Sequence, residues 1–205
     1  MSARLGEHPW LAAYAAPTVV PGGGSAAALA GALGCALLAM VARIGSRKAD
    51  LDGAERLEAL ADGAERLRLR LVEQERADAG AYERMVASVR AARATAGDPG
   101  ASRAAEAARV DATDVPLATA ELAAEGLQLA AAVAGSGLHR TASDQLVAAH
   151  LLRAGLEGGL ATVRFNLHGM PEGTAKQDLA ARAGQLEAAR RDAGELVERI
   201  GGSFP

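Results

Sequence analysis

Aromatic side chains are nearly missing from this 205-residue chain: one Trp, two Tyr and two Phe make up 2% of it. Sheet cores lean on aromatic and β-branched residues, so their scarcity points to close-packed helices. Cysteine is as scarce. The single thiol, Cys35, cannot form a disulfide within the chain and lies in an apolar stretch, which fits a reducing, cytoplasmic compartment. An excess of positive charge is also missing, since 22 basic residues stand against 25 acidic ones, for a formal net charge of -3. With no basic tract, the balance argues against a nucleic-acid binder and for a small ligand or a protein partner. The opening MSARLGEHPW has no apolar stretch behind its charges and does not read as a secretion signal. The uncharged run AAALAGALGCALLAMVA at 26–42 falls short of the roughly 20 apolar residues a bilayer span needs. It reads as a buried helix, and no membrane span is expected.

What is present is alanine in long segments with helical periodicity, 50% hydrophobic residues overall, and few breaks. The expected helices lie near 5–15, 25–46, 52–94, 101–134, 143–168 and 172–200, with Pro116 kinking or splitting the fourth. GDPG at 97–100, GSG at 135–137 and GMPEG at 169–173 read as turns. No long linker or internal repeat interrupts them. The expectation is therefore an all-α, single-domain bundle of about six helices spanning 1–205. Ala27, Gly31 and Gly34 are small enough to clamp the second helix against neighbours. So much alanine surface also calls for cover, which predicts a two-fold dimer using helix 25–46 or a neighbour.

A seven-residue repeat runs through the third helix in two interleaved series. One is Leu57, Ala64, Leu71, Asp78, Met85; the other is Leu60, Leu67, Gln74, Ala81. Together they form a core-facing stripe that contains two polar members, Gln74 and Asp78, four residues apart. A buried, unpaired carboxylate costs several kcal/mol, so something must bond to it or neutralise it. A register-fixing polar contact, a helix that has left the core by residue 74, and a ligand pocket inside the bundle all fit this pattern.

The other unusual stretch is PGGGSAAALAG at 21–31. A helix starting at about residue 25 would have Ser25 as its cap and Gly22, Gly23 and Gly24 in front of it. A helix start without side chains lets an anionic or polar ligand group reach free N–H donors and the positive end of the dipole. A tight turn that needs positive φ accounts for the glycines equally well. The pattern matches neither nucleotide-binding glycine fingerprint.

The segment PTVVPGGGSAAALAGALGCALLAMVARIGSRK closely resembles the opening of the formiminotetrahydrofolate cyclodeaminase/methenyltetrahydrofolate cyclohydrolase family. ADAGAYERM at 77–85, VDATDVPLATAELA at 110–123, TASDQLVAAHLL at 141–152 and VRFNLHGMPE at 163–172 resemble further family segments in the same order. The resemblance implies an all-α, usually dimeric enzyme acting on the one-carbon unit of tetrahydrofolate, either hydrolysing a methenyl bridge or closing a formimino group with loss of ammonia. A tetrahydrofolate derivative would be its substrate. The resemblance implies that the glycine-rich loop with Ser25 lies near the folate, and that Asp78 is a catalytic carboxylate with Tyr82 close by; Gln74, one turn before Asp78 on the same stripe, is expected among the folate-binding residues. It carries Asn166 into the site as well, together with Ser143 and Asp144, although Ser143-Asp144 is also a good helix-start signature.

Lys48 is one of only two lysines, the other being Lys176, and IGSRK at 44–48 resembles the family's basic step after this helix. A titratable amine there would suit acid/base work beside Asp78, and a cation compensating a helix C-terminus is the plainer account. The resemblance is imperfect at GLHRTASD, 137–144, where Leu138 and Arg140 replace asparagines. Those replacements leave three readings: an active enzyme, a catalytically weak folate-binding relative, or a structural helical dimer whose polar seam only fixes register. His8, His139, His150 and His168 share no ligand spacing with one another or with Cys35, so no metal is expected.

Overall fold

Asp50 and Asp98 start two long helices in the same way, each accepting a hydrogen bond from a backbone N–H in the first turn: Gly53 at 3.0 Å and Gly100 at 2.8 Å. Seven α-helices follow in the computed structural model, which describes residues 8–202. They are α1 (Pro9–Ala15), α2 (Gly23–Ser46), α3 (Leu51–Ala94), α4 (Pro99–Ala134), α5 (Ala142–His168), α6 (Thr174–Gln185) and α7 (Glu187–Gly201), with a 3-10 turn at His139–Thr141. The all-α bundle agrees with the sequence reading. Residues 5–7 of the first expected helix lie outside the described residues. The last expected helix is divided at Leu186, and α4 runs through Pro116 unsplit.

The bundle's centre is α2, packed against α3, α5 and α4. Leu38, Leu71, Leu117, Leu122, Leu152, Leu156 and Leu160 are fully buried among alanines. α7 covers α5, and α6 bridges α4 and α5, where Arg182 pairs with Asp114 at 2.6 Å and Glu121 at 2.9 Å. By length and composition α2 and α4 could each cross a bilayer, but 61% of the most apolar window of α2 and 56% of that of α4 are buried inside the bundle. The expected seam on α3 is present. Leu57, Ala64, Leu67, Leu71 and Ala81 are buried, while Gln74 and Asp78 are half-buried between them. Since Ala81 lies beyond both, the helix has not left the core at residue 74.

Close helix approach replaces large side chains. A methyl group on Gly159 would sit 2.7 Å from the Pro116 carbonyl oxygen and 3.1 Å from Ala120, so α5 and α4 touch backbone to backbone there. In most helix interiors Gly→Ala stabilises by about 1 kcal/mol. At Gly159 the overpacking of roughly 1–3 kcal/mol wins, so Gly159→Ala should lower the thermal midpoint. Gly184→Ala, on α6 with open space around it, should hold or raise it. Equal midpoints for the two variants would refute the close contact.

Cys35 has no exposed surface, and burial pushes its pKa from 9.0 up to about 12, against a smaller opposing pull from Arg68. The folded state keeps the proton that the unfolded chain releases, so this residue's contribution to stability is intact below about pH 9 and declines between about 9 and 12. At pH 8 the native thiol should resist a thiol reagent and react fully in denaturant; equal rates would contradict its burial.

Candidate active site

The three glycines are not a left-handed turn. Gly22, the N-cap of α2, has φ −113°, and the positive-φ glycines among the described residues are Gly97 and Gly137, in the GDPG and GSG turns. What PGGGS needs is space. A Cβ on Gly24 would overlap Oδ1 of Asp78 and lie 2.8 Å from its Cγ. The bare first turn of α2 thus admits the carboxylate of Asp78 from α3.

Ser25 is not the cap, contrary to the sequence reading; it lies within the first turn, fully buried. Its backbone N–H and its hydroxyl both donate to Oδ2 of Asp78, each at 2.8 Å. The role expected of a local side chain is filled by a carboxylate 53 residues away. It satisfies one of the N–H groups a helix start leaves unpaired, and places negative charge at the positive end of the dipole. Oδ1 accepts no hydrogen bond from any described residue.

Beside this pair lies a cavity of about 160 Å³. Val19, Val20 and the three glycines close one side, Asp78 and Tyr82 come from α3, Ala112 from α4, and Thr162, Phe165 and Asn166 from α5. Asn166 is fixed by a consequence of Pro116. A proline has no N–H, so the Ala112 carbonyl four residues earlier loses its helical partner. The Asn166 side-chain amide donates to that carbonyl at 2.9 Å, which ties α5 to α4 at the cavity wall. Just outside, the Tyr14 hydroxyl of α1 donates to Glu75 at 3.0 Å. Burial first, then that hydrogen bond and the charge of Glu75, raise the Tyr14 pKa well above 10.0 and keep it a donor. A larger cavity of about 300 Å³ lies between α4 and α7, away from this convergence of donors and carboxylate.

The sequence-predicted residues therefore divide. Gly22, Gly23, Gly24, Ser25, Asp78, Tyr82 and Asn166 come together, whereas Gln74 is half-buried one turn before Asp78 and does not line the cavity. Lys48 does not neighbour Asp78 within the chain. It is exposed past the far end of α2, about 35 Å away at 1.5 Å per residue, beside a cavity with Ile44, Leu138 and Arg140. Ser143 and Asp144 lie at that end too, in the first turn of α5; Thr141 is the N-cap, and no side chain caps this helix. Leu138 packs onto Gly45, and its carbonyl accepts from Gln145 at 2.9 Å. Phe165 and Thr162 escaped the sequence reading. The signal available was scarcity, because two of the five aromatic residues, Tyr82 and Phe165, line this one cavity.

Residues 8–185 match the family model described as Formiminotransferase-cyclodeaminase. A curated relative, methenyltetrahydrofolate cyclohydrolase of Methylorubrum extorquens, is 34% identical over 194 residues, which cover 92% of this chain and 89% of the relative. Among solved structures, formiminotetrahydrofolate cyclodeaminase from Thermotoga maritima superposes with a TM-score of 0.82 at 25% identity, covering 96% of each chain.

The two neighbouring glycines should respond differently to a methyl group. Gly23→Ala meets nothing within 4 Å and should leave the thermal midpoint unchanged or slightly raised. Gly24→Ala must displace the Asp78 carboxylate from Ser25 and should cost about 1–3 kcal/mol, as for a charged acceptor lost from a buried donor. Identical midpoints would refute the seating of Asp78 on this turn.

Proposed function

The chain belongs to the formiminotransferase-cyclodeaminase family, and on that premise we propose that it hydrolyses the methenyl bridge of 5,10-methenyltetrahydrofolate to give 10-formyltetrahydrofolate. The observation that carries this reading is the carboxylate of Asp78, which lines a cavity with an aromatic wall, with one oxygen held by Ser25 and the other accepting no hydrogen bond from the described residues. The methenyl bridge carries a delocalised positive charge, which a fixed, partly desolvated carboxylate complements. Water adds to the bridge carbon and releases a proton as the tetrahedral adduct forms, and Oδ1 of Asp78 is the base for that proton. The hydroxyl of the adduct then gives up its proton as the carbonyl forms, the bond from carbon to N5 breaks, N5 takes up a proton, and the formyl group stays on N10. One water is consumed and one proton released. No step in this scheme calls on a metal.

Tyr82 and Phe165 offer apolar faces to the flat rings of the ligand, and Asn166 offers the oxygen of its amide, whose nitrogen is already committed to Ala112. Cyclisation of 5-formiminotetrahydrofolate is the second reading, favoured by the likeness to the Thermotoga maritima cyclodeaminase. There N10 attacks the carbon of the protonated formimino group, the N10 proton passes to the departing nitrogen, and ammonia leaves the cationic methenyl bridge behind. The same carboxylate would face the same bridge carbon.

The whole chain acts, in this proposal, as one cytoplasmic domain on a small folate, with neither nucleic acid nor membrane as partner, and it works as a homodimer. Leu33, Met40 and Ile44 are 53%, 38% and 37% exposed along one stripe of α2, flanked at its end by exposed Arg43, a largely apolar face that a second copy would cover. Antiparallel pairing of the α2 helices about a two-fold axis would bring the Lys48 end of one copy to the Gly22 end of the other. Lys48, Ser143 and Asp144 would then reach the site from across the interface. A strictly monomeric mass at micromolar concentration would overturn this arrangement.

Purified protein should discharge the absorbance of methenyltetrahydrofolate, and Asp78→Asn should slow the initial rate by about 10²-fold or more with little change in thermal midpoint. Asparagine keeps an acceptor for Ser25 but removes the charge and the base. Wild-type rates in that variant would remove Asp78 from the mechanism. Ammonia release from the 5-formimino substrate, measured in parallel, separates the two reactions.

A further inference from the structure

Folate binding at the Asp78 cavity leaves a problem of size. At about 160 Å³ it falls below the roughly 300 Å³ at which small-molecule pockets begin. A second cavity of about 190 Å³ adjoins it, sharing Ala112, Phe165 and Asn166 as a common wall. It lies one step outward along the α3–α4 hairpin: Met85 follows Asp78 by seven residues, about 10 Å of helix, and Arg109 stands one turn from Ala112. Joined, the two cavities reach the size range of a ligand pocket.

The outer cavity holds one cation. Arg109 lines it and makes a single side-chain hydrogen bond, from Nη1 to the Gly169 carbonyl at 3.3 Å, with no carboxylate partner among the described residues. Its remaining N–H groups are uncommitted. A half-buried guanidinium with no carboxylate partner among the described residues, in a recess whose other lining residues include only Thr113 and Asn166 as polar side chains, is suited to a planar carboxylate. Phe165, 81% exposed, stands at the wall between the two recesses. Such exposure is unfavourable for a phenyl ring in water and is relieved by a flat ring lying against it.

We propose that Arg109 binds the glutamyl carboxylate of the folate, with the aminobenzoyl ring against Phe165 and the one-carbon bridge at Asp78. This rests on the folate reading above and adds to it the direction in which the ligand lies. The glycine-rich start of α2 takes the head and the recess further out along the α3–α4 hairpin takes the tail, so that Arg109 sets affinity and orientation while touching no reacting atom.

The test compares tetrahydrofolate with tetrahydropteroate, which lacks the glutamate, in calorimetric titrations of the wild-type chain and of Arg109→Gln. The variant should bind tetrahydrofolate about tenfold or more weakly, as expected for a lost charged hydrogen bond. Removing the glutamate should cost the wild-type chain a similar factor and cost the variant little further, and in the assay the loss should fall mainly on KM. Equal affinity of wild type and variant for tetrahydrofolate would overturn the assignment. So would an equal loss for both ligands, which would make Arg109 a structural tie to the Gly169 carbonyl. A wild-type chain that binds neither ligand would overturn the folate reading itself, and this inference with it; binding of both ligands with equal strength would overturn the inference alone.

Discussion

A carboxylate seated on the start of a helix from another part of the chain governs the functional end of this molecule. Asp78 reaches the first turn of α2 only because Gly24 has no side chain, and it stays there because Ser25 donates to it twice. Each partner satisfies the other. The helix start loses an unpaired donor, and the carboxylate gains hydrogen bonds and favourable dipole charge in place of water. The same contact brings α2 and α3 together beside Val19, Val20 and the three glycines, and so sets one side of the cavity. Structural and chemical roles meet in one residue, and the free oxygen is a by-product of how the bound one is used.

A second unusual residue organises the opposite wall. Pro116 within α4 deprives Ala112 of its intrahelical donor, and Asn166 of α5 supplies one. A helix defect is thereby converted into a tie between helices, and Gly159 permits the close approach by leaving room for the Pro116 carbonyl. The amide of Asn166 is oriented by this bond, with its nitrogen toward α4 and its oxygen left uncommitted. One wall depends on a missing Cβ, the other on a missing N–H.

Much of this was legible in the sequence. Periodicity and scarce aromatics were enough for the helices and the all-α bundle, and the α3 repeat singled out Asp78 as a carboxylate on a buried-facing stripe. What the sequence could not supply was the identity of its partner. Ser25 read as a local cap because capping rules are local, whereas the acceptor at this helix start comes from 53 residues away. Lys48 looked like a counter-ion for Asp78 because the sequence does not say which end of α2 the Asp78 stretch of α3 packs against; Asp78 sits at the start of α2 and Lys48 lies beyond its other end, 24 residues of helix away. Ser143 and Asp144 looked like caps for the same local reason, yet α5 begins before both. The break at Leu186 had no glycine or proline at that position to announce it. Phe165 and Arg109 sit in stretches with no periodic anomaly, and only the meeting of α3, α4 and α5 gives them a common address.

The near absence of aromatic residues has an optical consequence. A core of leucine, alanine and glycine contributes almost nothing to near-ultraviolet absorption, fluorescence or dichroism. The chromophores among the described residues are Trp10, 53% exposed on α1, Tyr14 bonded to Glu75, Tyr82 at the cavity, and Phe165 in its wall. All four lie on α1 or around the Asp78 cavity. Among the described residues the intrinsic aromatic signal is therefore a local record of α1 and that cavity, while the state of the bundle as a whole is written in the amide region.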